Sequence, residues 1–360
     1  MHSQTGIRTI PNPEYARGPI AAPLAVKLSE ERRRASLPSR DRRSISVIVG
    51  VAAIAIVSAA FLPYNGMGFN ANAKPGALLG LNAATGRSTP ATRNLVLGES
   101  LLGRSKKLRV RFVSAARSLT LPIVRELFGD SATDHAGLYA ARTDDLGEPF
   151  HFITMRPFSD KVAGHIGTYN IGFFPSERRA PRGLAYTNPE GFVEVTAGNQ
   201  FTPVSQHFTL SDFLTHDQVR VWPKYLVLQE PLLDKLELVI AELASMGVPV
   251  RRMKVMSGFR TPQYNQPGVG AGGRAQDSRH QFGDAADVYV VNGERDWMSD
   301  INRDGRVDTR DAKVLATAAE RVEKAHPDLI GGIGVYAATS AHGPFVHIDV
   351  RGVRARWGVQ

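Results

Sequence analysis

The 360-residue chain contains no cysteine. That absence excludes disulfide frameworks, thiolate metal sites and cysteine nucleophiles, and it leaves His, Asp, Glu and Ser to carry any chemistry. It also leaves the redox compartment unreadable. No internal repeat is found. A strongly basic body is lacking too, although the formal net charge is +10. Residues 1–44 hold nine Lys/Arg against four Asp/Glu, so half of the excess sits in the first 44 residues and the remainder of the chain is only mildly basic. A nucleic-acid partner is therefore not expected. At 42% hydrophobic and 22% charged the composition is that of a globular protein, which excludes a disordered or fibrous one, and the length is a prior for about two domains.

One long hydrophobic run is present. Ile45 to Leu62 covers eighteen residues without a charge, just enough to cross a hydrocarbon core of about 30 Å at about 1.5 Å per residue. Arg32, Arg33, Arg34, Arg40, Arg42 and Arg43 precede it and Pro63-Tyr64-Asn65-Gly66 follows, a distribution that puts the N-terminus in the cytoplasm. The expectation is a basic cytoplasmic segment 1–44, a transmembrane anchor 45–62 in the inner membrane, and everything beyond it extracytoplasmic. Cleavage near Ala71-Asn72-Ala73, which has the small-x-small pattern of a signal-peptide site, is the alternative and would release the protein. Residues 63–94, rich in Gly, Ala, Asn, Ser and Thr, read as a flexible tether.

From 95 to 202 short apolar runs alternate with turn residues. Phe150–Met155, Thr168–Phe174 and Gly191–Thr196 read as strands, and Asn188-Pro189-Glu190-Gly191 reads as a turn between Leu184-Ala185-Tyr186 and Phe192-Val193-Glu194-Val195. This predicts a small β-rich accessory domain of no legible role, with His135, His151 and His165 as surface or structural histidines. From 203 the texture changes. Leu232, Leu233, Leu236, Ile240 and Leu243 form one stripe between Pro231 and Gly247, which predicts an amphipathic helix packed on a sheet, and Lys254-Val255-Met256 supplies a short strand into Ser257-Gly258-Phe259-Arg260-Thr261-Pro262.

The chemistry concentrates in two later segments. In Ser278-Arg279-His280-Gln281-Phe282-Gly283-Asp284-Ala285-Ala286-Asp287 a His and an Asp flank a glycine-containing turn, and the small residues allow backbone and metal to approach closely. In Phe345-Val346-His347-Ile348-Asp349-Val350 period-two alternation sends Val346, Ile348 and Val350 to the core and Phe345, His347 and Asp349 to the other face. Two His and one carboxylate with an open fourth position make a catalytic zinc site rather than a structural one. Together the segments resemble, in order and content, the zinc D-Ala-D-Ala carboxypeptidases of the VanY and VanX type, over roughly 203–360. That family shows S-G-[YF]-R-[ST]-P, then S-x-H-x-x-G-x-A-x-D, then a [FV]-x-H strand. The resemblance implies that His280, Asp287 and His347 bind zinc, that Arg260 engages the substrate carboxylate or the developing oxyanion, and that Ser278 contacts substrate. It departs from the VanX-like pattern three residues before the last ligand, where Pro344 replaces an acid. Other members carry a histidine five residues before it, as His342 does here, so His342 is the expected acid/base, with Asp349 as an alternative base or an orienter of the site.

Asp300 to Asp311 forms a second metal-loop pattern. Asp300, Asn302, Asp304, the carbonyl of Arg306, Asp308 and Asp311 stand at calcium-ligand spacing around Gly305, and a helix is expected over Ala312–Lys324. With Asp at its last position the loop resembles dockerin calcium loops, but only one copy is present, so a structural calcium rather than a paired docking module is expected. The combined expectation is an α+β fold: a small antiparallel sheet flanked by helices that carries a zinc cleft over 203–360. It would act as a membrane-anchored peptidase on peptidoglycan stem peptides, first as a D-Ala-D-Ala carboxypeptidase. A peptidoglycan endopeptidase of the same zinc class, or an idle wall-binding module, is the alternative.

Overall fold

Most of the periodic stretches in the sequence become strands and helices in the computed structural model, which describes residues 101–114, 121–141, 149–270 and 273–359. The expected cytoplasmic segment, anchor and tether, residues 1–94, lie outside the described residues. Among those described, no helix is long and apolar enough to cross a membrane. The elements run β1 (Val110–Val113), α1 (Pro122–Phe128), α2 (Ser131–Asp134), β2 (Gly137–Ala141), β3 (Phe150–Thr154), β4 (Arg156–Pro157), β5 (His165–Ile166), β6 (Tyr169–Asn170), α3 (Pro175–Arg178), β7 (Gly191–Val195) and β8 (Lys224–Leu226). They continue as α4 (Glu230–Ser245), β9 (Arg252–Ser257), α5 (Pro262–Asn265), β10 (Ala285–Val291), α6 (Thr309–Ala325), β11 (Gly332–Tyr336), β12 (Phe345–Asp349) and β13 (Ala355–Gly358). The architecture is mixed α and β with small sheets, in keeping with an α+β class.

The largest sheet among the described residues has five strands in the order β13-β11-β12-β10-β9. Its inner pairs are antiparallel, as expected, but β13 lies parallel to β11 at the edge. The reason is local. A turn through Gly352, which takes a left-handed backbone at φ 83°, reverses the chain after β12, and the open edge it then meets belongs to a strand already antiparallel to β12. One face of this sheet is covered by α4 and α6. Leu232, Leu236 and Val239 of α4 join Leu315, Ala318 and Val322 of α6 in one buried cluster with Val288, Val290, Ile333, Val346 and Ile348. Alternation then leaves Phe345, His347 and Asp349 for the opposite face.

The expected boundary at 202 does not divide the core. Val110, Phe112, Ile153, Phe174, Phe192 and Val195 share the same cluster as Leu232, Phe259 and Phe282, and a smaller cluster under β1, β2 and α1 holds Val113, Val124, Phe128, Phe150 and Phe152. β7 has too little partner in the two-residue β4 to be covered alone, and it completes its sheet with β8 from beyond the boundary. Two short apolar runs come out as follows. Leu184–Tyr186 is a single 3-10 turn, closed by the Thr187 hydroxyl donating to the Leu184 carbonyl at 2.9 Å. Thr168–Phe174 is strand only at Tyr169–Asn170, because Gly172 turns the chain with φ 80° and a side chain there would meet the Gln263 backbone at 2.7 Å.

A buried ion pair ties the helices to the sheet. Lys235 of α4 is fully buried and donates to Glu323 of α6 at 2.7 Å and to the Asp349 carbonyl at 2.7 Å. Glu323 also accepts the Gly331 N–H at 2.9 Å and pairs with Arg356. Burial pushes the Lys235 ammonium group below its ordinary range, while Glu323 opposes that shift. Removing one partner of such a pair leaves a charge uncompensated away from water, at a cost of about 3–5 kcal/mol. Lys235→Met is accordingly expected to lower the unfolding free energy by about that amount. Denaturant unfolding of wild type and variant checks it, and a loss below about 1 kcal/mol would show that Arg356 alone satisfies Glu323.

Candidate metal centre

Asp287 and His347 face each other across β10 and β12, as directly opposed residues of one antiparallel register. His280 reaches the same point from the 3-10 turn Arg279–Phe282. That turn ends at Gly283 with φ 67°, and a side chain at this position would strike the Val227 carbonyl at 2.3 Å, so glycine is required by both conformation and space. Arg279 braces the turn from beneath. Its guanidinium pairs with the buried Asp284 and lies over the Tyr186 and Phe282 rings, 4.7 Å from each centre.

The three side chains bring one ligand atom each to a common centre. His280 Nε2 is 3.1 Å from His347 Nδ1, His347 Nδ1 is 3.0 Å from Asp287 Oδ1, and His280 Nε2 is 3.3 Å from Asp287 Oδ1. Atoms bound to zinc at about 2.0–2.1 Å in a tetrahedron stand about 3.3 Å apart, so the triangle has the size of a tetrahedral face. Among the described residues this is the one group of three or more His, Asp or Glu whose ligand atoms converge.

The outward-facing atoms decide what the inward ones can do. His280 Nδ1 is 2.7 Å from the Gly258 carbonyl, and His347 Nε2 is 3.0 Å from Asp349 Oδ2. Both partners are acceptors, so a neutral imidazole that donates outward keeps a lone pair on its inward nitrogen. Arg260 Nη2 donates to Asp287 Oδ2 at 2.5 Å, so Oδ1 is the oxygen turned inward. With both histidines in that tautomer, three ligand atoms converge on one buried point that could hold a metal ion, and this donor set fits zinc.

The protonation states follow from the same contacts. Burial, helped by the nearby Arg260 charge, pushes His280 below the ordinary histidine range. Burial opposes ionisation of Asp287, but His280 and His347 outweigh it and hold the carboxyl well below its usual range. For His347 burial disfavours the charge, yet hydrogen bonds to Asp287 and Asp349 win and raise its pKa.

Asp349 is engaged on every side. It is completely buried, and besides His347 its oxygens accept the Gly332 N–H at 2.7 Å, the Arg351 N–H at 3.1 Å and the Arg351 guanidinium. Burial works against its charge, but His347 and Arg351 keep the carboxyl far below its ordinary range. Arg260, expected on the substrate, is committed in large part to the site itself, through Asp287 and through Ser257 Oγ at 2.8 Å.

The triad lies on the wall of a cleft of about 820 Å³ that also takes in Arg260, Ser278 and His342. Ser278 is buried there. His342 is half-buried, packs edge-on against Phe345 at 5.0 Å, and turns Nδ1 to the Gly343 carbonyl at 2.8 Å, which leaves Nε2 toward other partners. Sequence reasoning missed Tyr336, Arg351 and Trp357, which line the same cleft. A signal for them was present in Gly332-Ile333-Gly334-Val335-Tyr336, where two glycines and a tyrosine share one face of a strand and make room for bulky neighbours. Side chains added at Gly332 and Gly334 would meet Asp349 and Trp357 at 2.4 Å.

In the expected calcium loop the carboxylates are hydrogen-bonded and ion-paired within the protein. The loop curls as expected, with Gly305 at φ 83° and Asp300 accepting the N–H groups of Asp304 at 3.2 Å and Gly305 at 2.8 Å. The remaining donors are engaged elsewhere. Asp311 is buried and accepts the Ile301, Asn302 and Asp308 N–H groups, Asp308 caps α6, and Asn302 bonds Asp304. Arg310 pairs with Asp304 and with Asp308, at 2.6 Å each, and so supplies the positive charge that an ion at those positions would bring. The Arg306 N–H donates to Asp304 at 2.9 Å, a contact that does not involve the carbonyl expected as a ligand.

No known protein family, curated protein or solved structure matches the chain.

Two outcomes are expected of metal binding. Asp349→Ala removes the acceptor that orients His347, and zinc affinity measured by competition with a chromophoric chelator should fall about 10- to 100-fold. Zinc needs the unprotonated imidazole, and the raised pKa of His347 lets protons compete from above the ordinary value of about 6.5. Affinity should therefore drop as pH falls from 8 toward 5, with the decline already under way at neutral pH. A flat profile between pH 8 and 6.5 would contradict it.

Proposed function

We propose that the chain is a zinc-dependent peptidoglycan peptidase that hydrolyses cell-wall stem peptides, acting first as a D-Ala-D-Ala carboxypeptidase, with residues 45–62 as its membrane anchor. The observation that carries this reading is the meeting of three ligand atoms, from His280, Asp287 and His347, on the wall of an open cleft. The likeness of the Ser257–Pro262, Ser278–Asp287 and Phe345–His347 segments to the VanY and VanX type of carboxypeptidase supplies the substrate class. Zinc held by the triad supplies Lewis acidity, which polarises a carbonyl group and makes hydroxide available near neutral pH.

The protein's own groups do the rest. Gly258, Arg260 and Asp349 each fix one ligand from behind, so the site is held in shape before substrate arrives. The Arg260 guanidinium, already anchored, presents the rest of its planar fork to a peptide carboxylate, and Ser278 offers its hydroxyl on the same wall. Arg274, stacked on Tyr264 at 4.4 Å, adds positive charge to the cleft and favours an anionic chain end. His342 takes up the proton released as water adds to the carbonyl, and returns it to the leaving amine.

Zinc-loaded full-length protein incubated with purified peptidoglycan, with and without chelator, tests the reading through the masses of the products. Release of terminal D-alanine is the expected result. Cut crosslinks would make the protein an endopeptidase, and retention on the wall without any product would make it an idle binding module. His342→Ala should lower kcat by about 10²- to 10⁴-fold while zinc content stays at the wild-type level.

A further inference from the structure

The cleft carries a phenol hydroxyl whose hydrogen has no acceptor among the described residues. Tyr336, at the end of β11, is half-buried and lines the cleft with Phe345 and Trp357. Its ring stacks on that of Phe345, its partner across the sheet, at 4.6 Å and 5°. The Trp357 indole Nε1 lies 2.7 Å from the Tyr336 oxygen. An indole N–H can only donate, so the phenol oxygen must be the acceptor, and the hydrogen of the phenol points elsewhere. Among the described residues it has no protein acceptor.

The sheet register places this hydroxyl near the triad. Gly334 is opposite His347, and Tyr336 follows two residues later on the same face, about 7 Å along the strand. Trp357 bridges the interval. Its ring centre is 5.1 Å from that of His347, and the indole crosses Gly334 so closely that a side chain there would meet Nε1 at 2.4 Å. The Arg260 donors that have partners are held by Ser257 and Asp287, whereas the phenol hydrogen is free.

We propose that the Tyr336 hydroxyl donates a hydrogen bond to the oxyanion of the tetrahedral adduct, and that Trp357 is the positioning residue that aims it. This rests on the peptidase reading above. As the water oxygen bonds to the carbonyl carbon, the π pair of the C=O bond moves onto the carbonyl oxygen. Tyr336 keeps its proton and shares it with that oxygen, while the proton lost by water goes to His342. Burial keeps the phenol protonated at neutral pH, as a donor of this kind must be.

The test uses Tyr336→Phe and Trp357→Phe in zinc-loaded full-length protein, with a D-Ala-D-Ala stem peptide as substrate and a phosphinate analogue of the tetrahedral adduct as probe. Tyr336→Phe should lower kcat by about 10²- to 10³-fold with KM within about twofold, and should weaken phosphinate binding by a similar factor. Zinc stoichiometry should not change, which also shows that the variant folds. Trp357→Phe should move both quantities in the same direction by less. An unchanged kcat, a change confined to KM, or loss of zinc from Tyr336→Phe overturns the assignment of the tyrosine alone. Wild-type protein that neither cleaves the peptide nor binds the phosphinate overturns the peptidase reading, and this inference with it.

Discussion

The register between β10 and β12 is the constraint on which the site depends. Asp287 and His347 are directly opposed in that ladder, and shifting it by one residue would send one of them to the opposite face of the sheet. The register is held by burial. Val288, Val346 and Ile348 must lie under α4 and α6, and that requirement commits the alternate residues of the same strands to the other face. A hydrophobic effect acting on one side of the sheet thus places charged groups on its other side, where water alone would not hold them together.

Those groups are costly to bury, and the structure offsets the cost by pairing every one of them. Asp287 takes Arg260, His347 takes Asp349, Asp349 takes Arg351 and the Gly332 N–H, and His280 takes the Gly258 carbonyl. The chain of pairs continues beneath the sheet, where Lys235 holds the Asp349 carbonyl and Glu323. Stability and site geometry are therefore linked: the same strand end that orients His347 is anchored to α4 and α6. A cluster paired in this way is held in one geometry by the protein's own contacts.

The ligands and the long helix were legible because each is encoded locally. His280 and Asp287 sit in one ten-residue segment, Phe345–Asp349 alternates with period two, and α4 repeats its leucines at helical spacing between a proline and a glycine. The protein contacts of Arg260 and Asp349 were not legible, because each depends on which residue lies across a strand or turn and on how many of its lone pairs or donors that neighbour uses. In the loop Asp300 to Asp311, likewise, the pairing of Arg310 with Asp304 and Asp308 is a contact that the spacing does not contain.

What the sequence determined by itself was the inventory and the local conformations: no thiol, two histidines and an aspartate in strand and turn contexts, a glycine where no side chain fits, and amphipathic stretches of the right period. These follow from short-range sterics and from the spacing of apolar residues. Only the tertiary structure decided that one core runs through the boundary at 202, that β13 adds in parallel beside β11, and that Tyr336 and Trp357 line the same cleft as His280, Asp287 and His347. Those outcomes depend on strand pairing between residues distant in the chain, and pairing is chosen by the burial of whole faces, a quantity that no short window of sequence contains.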